Sequence, residues 1–334
     1  MRAVQIVDQF QIESLRLNDV AEPKAGPGQA IVGVRAVSLN YRDLLVVKGL
    51  YSRKLPLPLT ICSDCAGEVV EVGPGVKRVK TGDRVAGLFM PGWIEGPVDE
   101  AKARTALGAQ EPGVLAEKVA FPEAALVPIP EHLSMEEAAT LPCAALTAWH
   151  ALIEKGQVRS GDTVLVLGSG GVSVFALQFA KMAGARVIAT SSSDAKLERL
   201  RELGADETIN YKTTPDWEEA VRKKTGGGVD HVIEVGGAGT FNKSLRAVRM
   251  GGRVSLIGAL AAGSDVNLTL ALMKSVTVQG IFVGSREMFE RMNRAISLHA
   301  MHPVVDHVFP LEQAAEALRY MESGQHFGKI CINM

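Results

Sequence analysis

The pattern of apolar and polar positions divides this chain into stretches of different character. From Arg2 to about Glu123 it is strand-like and turn-rich. Met1-Arg2-Ala3-Val4-Gln5-Ile6 reads as a first strand. Ile31-Val32-Gly33-Val34-Arg35-Ala36-Val37 and Gly67-Glu68-Val69-Val70-Glu71-Val72-Gly73 are short β-branched runs. Gly26-Pro27-Gly28 and Gly73-Pro74-Gly75 punctuate them. Pro91 to Gly113 breaks this rhythm with Trp93, several acids and small residues, and reads as an inserted lobe.

After Pro130 the pattern changes. Ser134 is placed to cap a helix, with Glu137 three residues on completing a capping box. Thr163–Leu167 predicts a buried strand, Val172–Ala183 a helix, Arg186–Thr190 a second strand and Ala195–Leu203 a second helix. Glu207–Ile209, His231–Val235 and Arg253–Ile257 predict further strands. Strands alternating with helices imply an α/β fold with a parallel, doubly wound sheet. Val304–Met334 returns to short strands around a helix over Glu312–Glu322.

The first of these strands runs into Gly168-Ser169-Gly170-Gly171-Val172-Ser173 and then a helix. The strand–glycine–helix context gives the motif its weight. One glycine permits the tight turn, the next lets backbone approach a pyrophosphate, and the helix N-terminus offers unpaired N–H groups. The third glycine of the fingerprint is Ser173, which should loosen helix-on-strand packing slightly. The same glycines would also serve a bare turn. The second strand ends in Thr190-Ser191-Ser192-Ser193, with Lys196 and Arg199 following, where an NAD site wants an acid for the ribose 2′-hydroxyl. Hydroxyls and cations suit a 2′-phosphate instead, so the expected cofactor is NADP. Asp194 is read as the cap of the next helix. Lys196 and Arg199 could equally be solvated helix residues.

Size and charge narrow the field. A chain of 334 residues suggests two domains. Its formal net charge of −1, without long single-sign runs, gives no reason to expect nucleic acid or an anionic membrane as partner. No apolar stretch is long enough for a membrane span, and the N-terminus lacks the apolar core of a signal peptide. Cys62, Cys65, Cys143 and Cys331 are too scattered for a disulfide framework, so reduced thiols in a cytoplasmic protein are expected.

Taken in order, several short motifs resemble the medium-chain dehydrogenase/reductases, and within them the quinone oxidoreductase-like branch. They are Asn40-Tyr41-Arg42-Asp43, Gly82-Asp83-Arg84-Val85, Ala138-Ala139-Thr140-Leu141-Pro142, Leu146-Thr147-Ala148, the glycine turn, Leu203-Gly204-Ala205-Asp206, Ile209-Asn210-Tyr211 and Phe327-Gly328-Lys329-Ile330. The resemblance covers essentially the whole length. It implies a Rossmann cofactor domain, residues 124–282, inserted in a discontinuous GroES-like catalytic domain, residues 1–123 and 283–334, with cofactor and substrate in the cleft between them. It implies that Ser191, Ser192, Lys196 and Tyr211 surround the 2′-phosphate, with Lys329 reaching it from the C-terminus. Gly168, Gly170, Gly171 and Val172 would hold the pyrophosphate, and Thr147 would lie near the nicotinamide. Val235-Gly236, Ile257-Gly258 and Phe282-Val283-Gly284 would line the rest of the path. Val276–Ile281 resembles the edge strand that pairs across a homodimer in this family; it could also be an ordinary edge strand.

Many relatives are zinc alcohol dehydrogenases. Where they carry a cysteine, a His-Glu pair and a second cysteine, this chain has Asn40, Ser63-Asp64 and Cys143, and one thiolate cannot hold a tetrahedral zinc. No metal is therefore expected, although Cys62, Cys65, Cys143 and Asp64 could converge on one. Without a Lewis acid, reduction of an already electron-poor small molecule is easier than oxidation of a simple alcohol. The resemblance thus implies NADPH-dependent reduction of an activated double bond or quinone. Asn40, Tyr41 and Tyr51 are the candidate donors, Tyr51 resembling the proton donor of related enoyl reductases. Arg42 and Asp43 are read as a structural ion pair, and Phe89 and Trp93 as an apolar wall. Two alternatives stand beside this reading: an alcohol dehydrogenase, with or without metal, and an NADPH-binding protein with little turnover.

Overall fold

A computed structural model of the chain describes residues 1–258 and 266–334. Two compact units emerge, one formed by Met1–Leu146 and Val283–Met334, the other by Thr147–Phe282. Among the described residues, no helix is long and apolar enough to cross a membrane.

The first unit is built on a seven-stranded sheet. Val305–Pro310, Lys329–Asn333, Gln29–Ser38, Asp64–Val72, Arg84–Gly87 and Leu126–Pro128 follow in that order, and Lys118–Pro122 also pairs with Gln29–Ser38. A smaller sheet sets Arg2–Ile6 between Leu15–Asp19 and Leu59–Thr60. The β-branched runs supply the core: Val32, Val37, Val69, Val85, Ile330 and Ile332 are buried. Residues 124–146, grouped with the cofactor domain in the sequence, belong to this unit. Leu126–Pro128 pairs antiparallel with Arg84–Gly87, and the helix Met135–Ala139, closed by the Ser134/Glu137 capping box, packs on its strands.

The Pro91–Gly113 segment carries one short helix, Glu100–Ala103, capped by Asp99. Trp93 is buried and its indole N–H donates to the Gly96 carbonyl at 2.9 Å. The segment closes over Ile61 and Cys62. A Cβ on Gly113 would overlap the carbonyl oxygens of both, so only glycine lets the two backbones come together.

The second unit is an all-parallel, six-stranded sheet. Its order is Glu207–Asn210, Arg186–Ser191, Thr163–Leu167, Val229–Glu234, Val248–Leu256 and Thr277–Gly280. Numbered within the unit this is 3-2-1-4-5-6, the Rossmann order, and the sequence in which strands are added reverses between Thr163–Leu167 and Val229–Glu234, which stay parallel. Helices Gly171–Met182, Asp194–Glu202, Trp217–Thr225 and Ala238–Ala247 connect the strands. Strands covered on both faces read as continuous apolar runs, and Val164, Leu165 and Val166 are fully buried. The helix expected from Ala195 begins one residue earlier, and its cap is Ser193, not Asp194: Ser193 Oγ accepts from the Lys196 N–H.

Candidate active site

In open α/β sheets ligands bind outside the carboxyl ends of the strands, at the point of reversal. Here that is where Thr163–Leu167 runs into the glycine turn. Gly168 takes a φ of +77°, and space is open above both Gly168 and Gly170, where a Cβ would meet nothing within 4 Å. Gly170 caps the helix Gly171–Met182 without a side-chain bond, so the helix N-terminus is left for a ligand. This is a cradle that fits a pyrophosphate, with Gly171 and Val172 in the first helical turn. Ser173, expected to loosen the packing, tightens it: its buried hydroxyl donates to the Leu167 carbonyl at 2.6 Å and pins helix to strand.

At the end of the second strand Ser191 is buried, Ser192 and Lys196 are half-buried, and Tyr211 is exposed. The Tyr211 N–H donates to the Ser191 carbonyl at 3.1 Å, bringing Tyr211 back beside the serines. The nearby acid, Asp194, accepts from the Asn210 side chain at 2.7 Å.

Glu234 was not singled out from the sequence. It ends its strand fully buried, and its Oε1 accepts from the Gly236 N–H at 2.7 Å, the Gly237 N–H at 3.0 Å and the Thr240 hydroxyl at 2.6 Å. Ser244 donates to Oε2. The carboxylate thereby ties Gly236 and Gly237, the turn that enters the helix Ala238–Ala247, to two hydroxyls of that helix. The Glu234 carbonyl accepts from Ile257 and Gly258, so both loops expected along the cofactor path are tied to one residue. The only hint in the sequence is an acid between an apolar run and two glycines. Thr147 is buried in the helical turn Leu146–Trp149, and Phe282 is exposed at the unit's other end.

In the first unit, Asn40 opens the helix Tyr41–Val47, and its N–H donates to Asp43 Oδ2 at 2.8 Å. The Asn40 side chain lies in a buried polar chain. Lys329 Nζ donates to Asn40 Oδ1 at 2.6 Å and to the Leu39 carbonyl at 2.6 Å. Asn40 Nδ2 donates to Ser63 Oγ at 3.4 Å, and Ser63 donates to Asp64 Oδ1 at 2.7 Å. Asp64 Oδ2 accepts the Cys143 N–H at 2.9 Å. Burial pushes the Asp64 carboxyl up to about 6, against the pull of Lys329. The Lys329 side chain, which the resemblance set toward the 2′-phosphate, is buried in this unit and donates to Leu39 and Asn40.

Arg42 and Asp43 do form an ion pair, at 3.5 Å. The guanidinium also bonds the Leu107 carbonyl and lies 4.5 Å from the ring centre of buried Phe89 and 5.7 Å from that of Tyr51. Tyr51 and Tyr41 are both partly exposed, with their rings open to solvent. Val283, buried, holds a φ of +49°, a strained value for a β-branched residue.

Comparison with known proteins places these features. Residues 26–131 match the alcohol dehydrogenase GroES-like domain, and residues 171–298 match the zinc-binding dehydrogenase family. A zinc-type alcohol dehydrogenase-like protein of Schizosaccharomyces pombe is 46% identical over 319 residues, covering 93% of this chain and 92% of the relative. This chain belongs to the medium-chain dehydrogenase/reductase superfamily. An acryloyl-coenzyme A reductase of Metallosphaera sedula is 30% identical over 99% of both chains. The structure of a 2-octenoyl-CoA carboxylase reductase in complex with NADP and 2-octenoyl-CoA matches with a TM-score of 0.86 at 28% identity, covering 99% of this chain and 87% of that one. Like other members of the superfamily, this protein is an oxidoreductase.

The matched family's description names zinc, so the donor set must be tested against it. Among the described residues, no three His, Cys, Asp or Glu side chains converge in a metal-holding arrangement. Asn40 and Ser63 offer a neutral amide and a hydroxyl, both already bonded, and the ammonium of Lys329 lies against Asn40. Burial pushes the thiols of Cys62, Cys65 and Cys143 up, Cys65 to about 12. A tetrahedral zinc wants thiolate, imidazole or carboxylate at these positions. The residues present do not fit it.

Proposed function

We propose that this superfamily member reduces an activated carbon–carbon double bond, of an enone or enoyl thioester, or a quinone, using NADPH and no metal. The observation that carries the reading is that Asn40, Ser63 and Asp64, which the resemblance sets at the zinc-ligand positions, form one hydrogen-bonded chain with the Lys329 ammonium on Asn40. Alcohol oxidation needs a group that stabilises an alkoxide, and a neutral amide does this poorly. Reduction of a conjugated carbonyl needs only a hydrogen-bond donor at the carbonyl oxygen, where negative charge develops, and a proton source. In this reading Asn40 donates to the carbonyl, and Tyr51 or Tyr41 supplies the proton from an exposed hydroxyl. Bound NADPH supplies the hydride.

Gly168, Gly170, Gly171 and Val172 would hold the pyrophosphate, with Thr147, Val235, Gly236, Ile257, Gly258, Phe282 and Val283 along the rest of the cofactor. Preference for NADPH rests on Ser191, Ser192, Lys196 and Tyr211, and on Asp194 being engaged by Asn210. Thr277–Gly280 ends the six-stranded sheet, with Val278, Leu272 and Met273 exposed at that side, which supports a homodimer formed through this edge. Four free cysteines accord with the cytoplasm.

The test is NADPH oxidation, with NADH in parallel, against enones, quinones and aldehydes before and after chelator treatment. Chelator-insensitive turnover of an enone or quinone, with NADPH preferred, is expected. Alcohol oxidation abolished by the chelator would overturn the proposal in favour of a metal-assisted alcohol dehydrogenase. Tight NADPH binding without turnover would overturn it in favour of a binding role.

A further inference from the structure

We infer that Lys329 is a positioning residue for this reduction: its ammonium fixes and polarises the Asn40 amide so that Asn40 presents N–H to the substrate carbonyl. The inference rests on the proposed role of Asn40.

Sheet register brings the two residues together. Lys329–Asn333 pairs antiparallel with Gln29–Ser38, with Cys331 opposite Ser38, and the Leu39 N–H donates to the Ile330 carbonyl. The same register continued by two residues sets Lys329 opposite Asn40. The Leu39 carbonyl, bonded to Nζ at 2.6 Å, anchors the ammonium independently of the Asn40 side chain.

An ammonium has donors and no acceptor. The Asn40 atom 2.6 Å from Lys329 Nζ must therefore be oxygen, and the amide is locked in one of its two orientations. The rest of the chain agrees with that choice. Nδ2 faces Ser63 Oγ, which is free to accept because its own proton goes to Asp64. Of the two Nδ2 hydrogens, Ser63 takes one through a long bond, and the Asp64 carboxylate also draws on this amide; in the proposal the substrate carbonyl takes the second. A cation on the carbonyl oxygen draws electrons from the amide nitrogen, which strengthens its N–H groups as donors. Lys329 thus acts through Asn40 and need not touch substrate.

Steady-state kinetics with NADPH and an enone test this in Asn40→Ala, Lys329→Met, their double variant and Lys329→Arg. Loss of one preorganised donor costs on the order of 100-fold in kcat, and that is expected for Asn40→Ala. Lys329→Met should cut kcat on the order of 10-fold, the scale of losing charge assistance to that donor. Its KM for NADPH should stay within about threefold. The double variant should be no slower than Asn40→Ala, because the lysine has nothing left to orient, and Lys329→Arg should recover part of the rate. If the two losses multiply, Lys329 acts elsewhere and the inference fails. If Lys329→Met raises the KM for NADPH but not for NADH, the ammonium serves the 2′-phosphate and the inference fails. If Asn40→Ala leaves kcat intact, the donor role proposed above fails first. Should Lys329→Met not fold, the same comparison is made within Asp64→Asn, with Lys329→Met/Asp64→Asn keeping the buried charge balanced.

Discussion

Removing the Glu234 carboxylate gives the sharpest test of how the second unit holds its loops. In Glu234→Ala the N–H groups of Gly236 and Gly237 and the Ser244 hydroxyl lose their acceptor, and the Thr240 hydroxyl keeps only its long bond to the Gly237 carbonyl. Water can reach the partly exposed Gly236 and Thr240. Gly237 is buried and Ser244 fully so, and these two carry the cost. An orphaned buried donor costs about 1–3 kcal/mol, and loss of an acid at a helix N-terminus adds up to about 1 kcal/mol. Relief of the desolvated charge offsets part of this. The expected net loss is about 4 kcal/mol, a large share of the roughly 5–15 kcal/mol that holds a domain together. Glu234→Gln keeps an oxygen toward Gly236, Gly237 and Thr240, and the Ser244 hydroxyl can turn to accept from the new amide. It should lose about 1–2 kcal/mol, the charge-assisted part of the bonds. Urea unfolding followed by circular dichroism gives the stabilities, and amide exchange at Gly237 reports the local opening. NADPH binding should weaken in the same order, since the carboxylate and main-chain carbonyl of Glu234 together hold the loops at 235–236 and 257–258. A Glu234→Ala protein within about 1 kcal/mol of wild type, with Gly237 still protected, would refute this reasoning.

Three further outcomes are expected. Gly113→Ala should destabilise by about 3 kcal/mol or more, seen as a fall in Tm or loss of soluble protein, because its Cβ meets two backbone carbonyls that cannot swing aside. Lys196→Glu should raise the KM for NADPH about 100-fold, since roughly 3 kcal/mol separates attraction from repulsion at a 2′-phosphate, and should leave the KM for NADH within about threefold; equal effects on both cofactors would remove Lys196 from that role. Burial raises the folded-state pKa of Asp64 from 3.8 to about 6, so the folded protein holds this proton more tightly than the unfolded chain does. Stability should therefore fall as pH rises from about 4 to about 6, by up to about 3 kcal/mol from this group. Urea midpoints across that range should show the slope in wild type and a shallower one in Asp64→Asn.

What the sequence disclosed depends on the range of the interaction. The Rossmann unit was legible because its signals are local. Val164 to Val166 are buried on both faces and so are continuously apolar, and Gly168 stands at a strand-to-helix turn that takes a positive φ. The boundary after Glu123 was not legible, because Leu126–Pro128 joins the first unit by pairing with Arg84–Gly87, far back in the chain. The bond between Lys329 and Asn40 was not legible for the same reason: the two lie 289 residues apart, and only sheet register joins them. Ser173 looked like a defect in a glycine fingerprint until its hydroxyl was placed on the Leu167 carbonyl. Glu234 was overlooked because a lone acid at a strand end carries no period or spacing, and its meaning lies in the loop that folds back onto it.

The buried charges around Asn40 bear on the chemistry as a set. Asp43 and Asp64 are fully buried carboxylates, and Arg42 and Lys329 are the cations set against them. With both acids ionised, the cluster is neutral without any added ion. A divalent cation would leave two charges uncompensated, unless buried thiols gave up protons that burial and the neighbouring carboxylates hold on them. Zinc enzymes face the opposite balance, where thiolates need the metal to be stable in a buried site. Exchanging a metal for a lysine in this way keeps a positive charge in the pocket but moves it one residue back, behind Asn40. A charge applied through an amide can strengthen a hydrogen bond to a carbonyl, yet it lacks the open coordination position that would bind an alcohol and lower its pKa. The proposed preference for electron-poor acceptors over simple alcohols follows from where that cation sits.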